Sequence, residues 1–169
     1  MSAPAETPTV REAVAVFADR LAFEAAVHHL LDSGFERSDL SVLDSHESLA
    51  AAGEPGKPWK DVLGALVGEI KYEGPLVAAG AILLAGGPAA AVIASVIGAA
   101  TAGVAAKEIL DEVTATPHTE SFANALAAGG VILWARLADK HKEHAALRIL
   151  KDFGGANAHV VERAHPADA

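Results

Sequence analysis

The sequence predicts an α+β protein, and three observations carry this prediction. The chain has 169 residues, which is enough for one domain with a large insertion. Each end of the chain contains a short apolar run, an amphipathic helical pattern and a second short run. Between the ends lies a Gly/Ala-rich segment, residues 74–106, that contains no charged residue. We therefore expect strand, helix and strand at both ends, with a helical insertion between them.

The first strand-helix-strand unit is predicted over residues 12–44. A strand is expected at residues 13–18 (AVAVFA), and Asp19 is a suitable N-cap for the helix that follows. Gly34 is a typical helix stop, and residues 40–43 form the second strand. Apolar residues at helical spacing form one face of the helix: Phe23, Ala26, Val27, Leu30 and Leu31.

The second unit, residues 129–163, repeats the same order. Residues 131–137 (VILWARL) predict a strand, Asp139 repeats the capping position, and residues 156–162 close the unit. The helix between them has an apolar face and is stopped by two glycines: Ala146, Ile149, Leu150 and Phe153, then Gly154 and Gly155. A β-α-β unit that occurs twice is the pattern of the ferredoxin-like fold with an antiparallel sheet.

The inserted segment, residues 59–115, is predicted to be a helical hairpin. Its first helix is expected to begin at Trp59 and to pass through Ile70. The sequence GGP at residues 86–88 must break the apolar run, because proline disfavours a helical conformation in the residue before it. A second helix is expected to begin at Pro88, since proline is favoured in the first turn. Linkers (45–58 and 116–128) and tails (1–11 and 164–169) complete the predicted organisation.

Small residues form a row along the second predicted helix at intervals of four. The row consists of Ala90, Ala94, Gly98, Ala102 and Ala106. Gly64 and Gly68 offer a similar surface on the first helix. Small faces allow two helix backbones to approach closely and gain dispersion contacts. Three interpretations stay open: packing within the hairpin, association between copies, or insertion in or on a bilayer.

A full membrane crossing is not favoured, since residues 89–106 would form a helix of roughly 27 Å against a hydrocarbon core of about 30 Å. The chain contains no cysteine, which excludes disulfides and a thiolate nucleophile. Its first residues lack the basic and apolar regions of a secretory signal. We expect a cytoplasmic protein, alternatively one associated with the inner membrane.

Three stretches together resemble a known family: AVAVFADRLAFEAAVHHLLDSGF, the Gly/Ala run, and GGVILWARLADKHKEHAALRILKDFGG. The chain is similar to the bacterial general-stress and heat-induced proteins, in which a glycine-zipper segment lies within a small ferredoxin-like frame. The resemblance implies a non-catalytic role linked to stress or to the cell envelope. It provides no catalytic residue, cofactor or metal ligand that could be carried over.

Charge and histidine placement exclude several classes of partner. The net charge of −9 would repel a phosphate backbone, so nucleic acid is not expected. His141 and His144 fall opposite the apolar face of their helix, and the adjacent His28 and His29 diverge by about 100° around theirs. We expect these histidines to point to water, so we predict no metal site. We find no residue set that a reaction would require and predict no enzyme and no cofactor.

The open face of the predicted sheet is a second candidate surface. Ala13, Ala15 and Phe17 share one face of the first strand, and Ile132, Trp134 and Arg136 share one face of the third. If helices cover the other face, Phe17 and Trp134 become exposed neighbours, with Arg136 and His159 nearby. A dimer interface, coverage by the insertion or a ligand surface would each explain such a face.

These observations predict a non-enzymatic assembly protein. We expect it to form homo-oligomers through the row of small residues, while the frame sets the geometry or dimerises through its sheet. One alternative is a membrane-associated protein whose insertion meets lipid. The other is a regulatory module that binds a small ligand.

Overall fold

The computed structural model describes residues 9–45, 70–76, 80–86, 88–89, 118–127 and 130–164. These residues combine strands and helices, so the predicted α+β class is confirmed. The elements are, in chain order, β1 (Thr9–Phe17), α1 (Arg20–Asp32), a 3-10 turn (Arg37–Asp39), β2 (Leu40–Ser45), β3 (Ile70–Leu76), β4 (Gly80–Gly86), α2 (His118–Ala127), β5 (Val131–Arg136), α3 (Lys140–Asp152) and β6 (Ala156–Ala164).

The strands form one sheet in the order β3-β4-β2-β5-β1-β6, and every neighbouring pair is antiparallel. β1 and β5 lie side by side, with Glu12 opposite Arg136 and Phe17 opposite Val131. β6 pairs with the other edge of β1, and β2 pairs with the other edge of β5. The elements β1-α1-β2 and β5-α3-β6 thus occur where the two strand-helix-strand units were predicted.

Local signals in the sequence set the ends of α1. The side chain of Asp19 accepts a hydrogen bond of 3.0 Å from the backbone N–H of Leu21, which satisfies one of the unpaired donors of the first turn. Gly34 ends the helix with φ of +94°, a conformation that side chains with a Cβ rarely adopt. Both predicted signals are confirmed.

The same signals bound α3. Asp139 accepts a hydrogen bond of 2.8 Å from the backbone N–H of Lys142, and Gly154 has φ of +87° after the last turn. Gly155 is needed for a different reason, because a Cβ at this position would lie 2.6 Å from the carbonyl oxygen of Leu150 and 2.9 Å from the Cβ of Ala15. The chain therefore returns from α3 to the sheet through a contact that only glycine allows.

One hydrophobic core lies between α1, α3 and the sheet, on what we call the helix face. Phe23, Ala26, Val27 and Leu30 of α1 and Ala146, Ile149 and Leu150 of α3 are buried there, as their spacing predicts. The sheet contributes alternate residues of three strands: Ala13, Ala15, Phe17, Leu40, Val42, Val131, Leu133 and Ala135.

The opposite side, the second face, is also buried. Val14, Val16, Leu43, Ile132 and Trp134 alternate with the residues of the first core and have at most 6% of their surface exposed. α2 packs on this side, where its Phe122 is fully buried, and it contacts β5 and β2. The strands β1, β2 and β5 thus have buried side chains on both sides.

The helical prediction is wrong for the described part of residues 59–86. Residues 70–76 and 80–86 are strands β3 and β4, which pair with each other and extend the sheet beyond β2. For β3 the sequence is compatible with a strand, because Glu69, Lys71 and Glu73 alternate with Ile70 and Tyr72 in the period of a strand.

Other predicted boundaries also change. The linker expected at residues 116–128 contains the helix α2, and β1 begins at Thr9, within the predicted N-terminal tail. Pro88 and Ala89 are helical, at the predicted start of the second helix. Of the predicted linker at 45–58, Ser45 belongs to β2. The remainder of that linker, the rest of the predicted second helix, and residues 1–8 and 165–169 lie outside the described residues.

Candidate functional site

Phe17 belongs to the helix face and not to an open surface. Only 1% of its surface is exposed, and its ring meets that of Phe23 edge to face, with centroids 6.1 Å apart and planes at 72°. Such a T-shaped pair is a favourable arrangement of two aromatic rings. Phe17 therefore anchors α1 to the end of β1.

Trp134 lies on the second face, so the prediction that Phe17 and Trp134 are exposed neighbours is wrong. Trp134 pairs in register with Val14 on one side and Ser41 on the other, and it is fully buried. The two predicted sets of alternating residues are correct within each strand. The pairing between the strands puts them on opposite faces, and a difference of one residue in register decides this.

His159 is on the same face as Trp134, because it pairs with Val14 across β6 and β1. Its ring meets the ring of Phe122 in α2 edge to face, with centroids 5.4 Å apart and planes at 82°. Its Nδ1 also lies 2.6 Å from the carbonyl oxygen of Asn157. His159 is thus a contact between β6 and α2.

Arg136, at the end of β5, has a different contact partner from His159. Its guanidinium lies 3.7 Å from the carboxylate of Asp39, and its side chain is 54% exposed. Asp39 in turn accepts a hydrogen bond of 2.9 Å from the backbone N–H of Glu36, at the 3-10 turn before β2. The four predicted surface residues, Phe17, Trp134, Arg136 and His159, therefore do not form one site.

A β-bulge brings β6 and α2 together. The register of β1 and β6 shifts between Val14 and Val16, and Asn157 has φ of +53° at this point. Asparagine tolerates this left-handed conformation better than most residues. Its side-chain amide donates a hydrogen bond of 2.8 Å to the hydroxyl oxygen of Ser121.

A small open cleft of about 280 Å³ lies beside this bulge. Ser121 and Asn157 provide its polar side chains, and no charged side chain of the described residues lines it. Its remaining walls come from small residues: Val16, Ala18, Ala125, Gly130, Gly154 and Ala156. The cleft could hold a small neutral molecule that makes one or two hydrogen bonds, and the lining residues that the structure describes include no side chain for acid-base chemistry.

The outer side of the helix layer is a polar surface with one exposed large apolar side chain. On α3, His141, His144, Arg148 and Lys151 are all exposed, opposite the buried Ala146, Ile149 and Leu150. On α1, Leu21 is 76% exposed and is the one large hydrophobic residue at the surface of the described part. His28 and Asp32 are exposed along the same side of α1.

A network of ion pairs connects α3 to β1 and β6. Arg11 lies 2.8 Å from Glu143 and 3.4 Å from Glu162, and Lys140 lies 3.3 Å from Glu143. The hydrogen bond from Arg11 is the main reason that the pKa of Glu143 is lower than usual; desolvation opposes this effect, and Lys140 adds to it. The network joins the start of α3 to the sheet.

The histidines on α1 and α3 point to solvent, as predicted. His28, His29, His141 and His144 are exposed. His29 also stacks against Phe153, with ring centroids 4.3 Å apart and planes at 32°. Among the described residues, no three His, Asp or Glu side chains are placed to share a metal ion.

The predicted helix-packing residues fall outside the described residues. This applies to Gly64 and Gly68, and to the row Ala90, Ala94, Gly98, Ala102 and Ala106. Within the part of the chain that is described, no helix is long and apolar enough to cross a membrane. Comparison with models of protein families, with curated proteins and with solved structures found no match for this chain.

Two features of this region were missed from the sequence. α2 follows Thr116 and Pro117, which begin the linker that we predicted over residues 116–128. The same pair is equally a signal for a helix start, because Thr is a good N-cap and Pro is favoured in the first turn. The bulge at Asn157 has no comparable local signal, since Asn is common in strand ends and turns of many kinds.

Proposed function

We propose that this protein is a non-enzymatic assembly protein that associates with copies of itself. The observation that carries the proposal is the outer side of the helix layer, where Leu21 is 76% exposed next to a charged helix surface. Protein interfaces combine an apolar centre with a polar rim, and Leu21 with its charged neighbours has this arrangement on a small scale. The role in stress remains part of this proposal and rests on the sequence resemblance.

The proposed frame is ferredoxin-like. The supporting feature is the order β2-β5-β1-β6, in which each unit contributes one central and one outer strand and the helices α1 and α3 share a face. β3 and β4 would then be an addition beside β2. Frames of this kind serve many functions, so the frame by itself does not select one.

The helix layer is a better candidate for self-association than the sheet. Both faces of β1 and β5 are buried within one chain, so they do not offer a dimer surface. β6 is an outer strand, but its bulge at Asn157 and the ion pair between Glu162 and Arg11 are features that discourage edge-to-edge pairing. We therefore replace the predicted dimerisation through the sheet with association through α1 and α3.

The Gly/Ala segment would contribute a second contact in this proposal. Its row of small residues suits close helix packing between copies, and the alternative is contact with a bilayer. Light scattering of the full chain, with and without a mild detergent, separates the two. A defined oligomer in both conditions supports assembly. Aggregates that detergent converts to a small uniform species would instead support a membrane-associated protein.

The experiment that tests the helix layer uses Leu21→Glu. We expect this variant to associate more weakly than the wild type, because it places a charge where an apolar contact is proposed. Asn124→Glu is the matched control, since Asn124 is exposed on α2 at the other side of the sheet. If both variants keep the wild-type mass at equal concentration, the helix layer is not the contact.

A second function is favoured by the cleft beside Asn157. It could bind a small neutral ligand through Ser121 and Asn157, as in a regulatory module. Phenol is a suitable probe, because it combines an apolar ring with one hydroxyl. Binding would raise the unfolding temperature of the wild type but not that of Ala156→Leu, which fills the cleft. An equal shift in both proteins would rule out this cleft.

A further inference from the structure

We infer that the helix layer docks a second copy of this chain about a two-fold axis, with α1 of each copy against α3 of the other. This inference rests on the proposed self-association and identifies its surface and symmetry. In a two-fold interface the same patch occurs on both partners and must be complementary to itself. The helix layer meets this condition because α1 and α3 contact each other and lie side by side in one copy.

α1 and α3 carry opposite charges, which a contact of α1 with α3 of the other copy requires. The exposed charged residues of α3 are three bases, Lys140, Arg148 and Lys151, and one acid, Asp152, and His141 and His144 are exposed on the same helix. Across α1 and the following turn, residues 19–39, the acids outnumber the arginines: Asp19, Glu24, Asp32, Glu36 and Asp39 against Arg20 and Arg37. A cationic helix surface therefore lies beside an anionic one.

Four of these side chains are available for contacts with a partner. Glu24, Asp32, Arg148 and Lys151 take part in no ion pair or side-chain hydrogen bond within the described residues. Other charged groups nearby are already used, as Glu143 is by Arg11 and Lys140. Charge reversal at the four positions therefore leaves the described internal contacts intact.

The overall charge makes a specific orientation necessary. Two copies with a net charge of −9 repel each other at long range, so an orientation that brings opposite charges together locally is favoured over one that does not. Packing α3 against α3 or α1 against α1 would bring like charges together. Packing α1 against α3 joins opposite charges twice, once for each copy, and sets Leu21 within the contact.

The test uses two charge-reversed variants of the full chain. Arg148→Glu with Lys151→Glu makes α3 acidic, so both outward helix surfaces of this variant are acidic. Glu24→Lys with Asp32→Lys makes α1 basic, so both surfaces of this second variant are basic. We expect each variant to associate with itself on the order of tenfold more weakly than the wild type, because like charges now face each other.

Mixing the variants provides the decisive measurement. The acidic variant matches the basic variant at both contacts, so native mass spectrometry of the mixture should show a mixed dimer. A chain with all four substitutions should recover the self-association of the wild type, since its two surfaces are again opposite in charge. Circular dichroism of each variant checks that the fold is retained.

The outcomes separate this inference from the proposed function. If the wild type is a monomer at all protein concentrations tested, the proposed self-association fails and this interface fails with it. If the wild type associates but the reversed variants keep its mass and form no preferred mixed dimer, the two-fold helix interface is wrong. Self-association would then remain, through another surface such as the Gly/Ala segment or the edge of β6.

Discussion

The side-chain amide of Asn157 donates a hydrogen bond of 2.8 Å to the hydroxyl of Ser121, which connects the bulge of β6 to α2. Asn157 is also the one non-glycine residue with a positive φ in the described part of the chain, at +53°. The same residue thus adopts an unusual backbone conformation and joins two elements. This relationship makes a specific prediction about stability.

Asn157→Ala should lower the free energy of unfolding by about 1–3 kcal/mol, because it loses one hydrogen bond and forces a Cβ-bearing residue without a polar side chain into the left-handed region. Asn157→Gly removes the same hydrogen bond, but glycine adopts a positive φ without strain. This variant should therefore lose less unfolding free energy than Asn157→Ala. Urea unfolding of the two variants measures the difference. Ser121→Ala keeps the backbone of residue 157 unchanged and isolates the hydrogen bond. If Asn157→Gly is the less stable variant, the backbone argument is incorrect.

Gly155→Ala should be destabilising by about 1–3 kcal/mol, because overpacking of a close contact forces backbone shifts. The new Cβ would lie 2.6 Å from the carbonyl oxygen of Leu150. Gly154→Asn is the matched control, since nothing lies within 4 Å of a Cβ there and asparagine accepts a positive φ. Thermal unfolding should show a clear loss for the first variant and a small one for the second. Equal losses would mean that the close contact can relax.

Trp134→Ala should cost about 3–5 kcal/mol, which is typical for removal of a fully buried aromatic side chain. The reason is that Trp134 belongs to the core of the second face and has no exposed surface. Arg136→Ala, two residues along the same strand, should cost less than about 1 kcal/mol because exposed ion pairs contribute little. A mild effect of Trp134→Ala in chemical unfolding would contradict the burial of the second face.

Glu143 should make stability depend on pH in the acid range. The pKa of this carboxyl is lower in the folded protein than its usual value of 4.5, chiefly because Arg11 donates to it. The unfolded chain therefore binds the proton more readily, and the contribution of Glu143 is present above about pH 4.5 and is lost as the pH falls through the folded pKa.

The variant Glu143→Gln measures this contribution. The difference in unfolding free energy between the wild type and Glu143→Gln should be largest near neutral pH and shrink as the pH falls below the usual carboxyl pKa value of 4.5. Arg11→Met alone, and in combination with Glu143→Gln, completes a double-mutant cycle that isolates the pair. A difference that stays constant over this pH range would mean that Arg11 does not perturb the carboxyl.

Parts of the candidate surfaces could be predicted from the sequence. The outward positions of His28, His141 and His144 follow from helical spacing, because the apolar residues of each helix define the opposite side. The cleft could not be predicted from the sequence, because it depends on α2 and on the bulge at Asn157. Those features arise where segments far apart in the chain meet.

The sequence by itself determined the local elements at the two ends of the chain. Asp19, Gly34, Asp139 and Gly154 bound α1 and α3, since caps and positive-φ stops act within a few residues. The alternation within β1 and β5 was also correct, because the side-chain period of a strand is a local property.

Only the tertiary structure decided which faces come together. Antiparallel pairing sets Val14, and not Phe17, on the side of Trp134, and a shift of one residue would reverse this. The same holds for β3 and β4, because residues 70–76 and 80–86 acquire their strand partners from β2 and from each other. An apolar run can suit a helix or a strand, and the hydrogen-bonding partners that decide between them are distant in sequence.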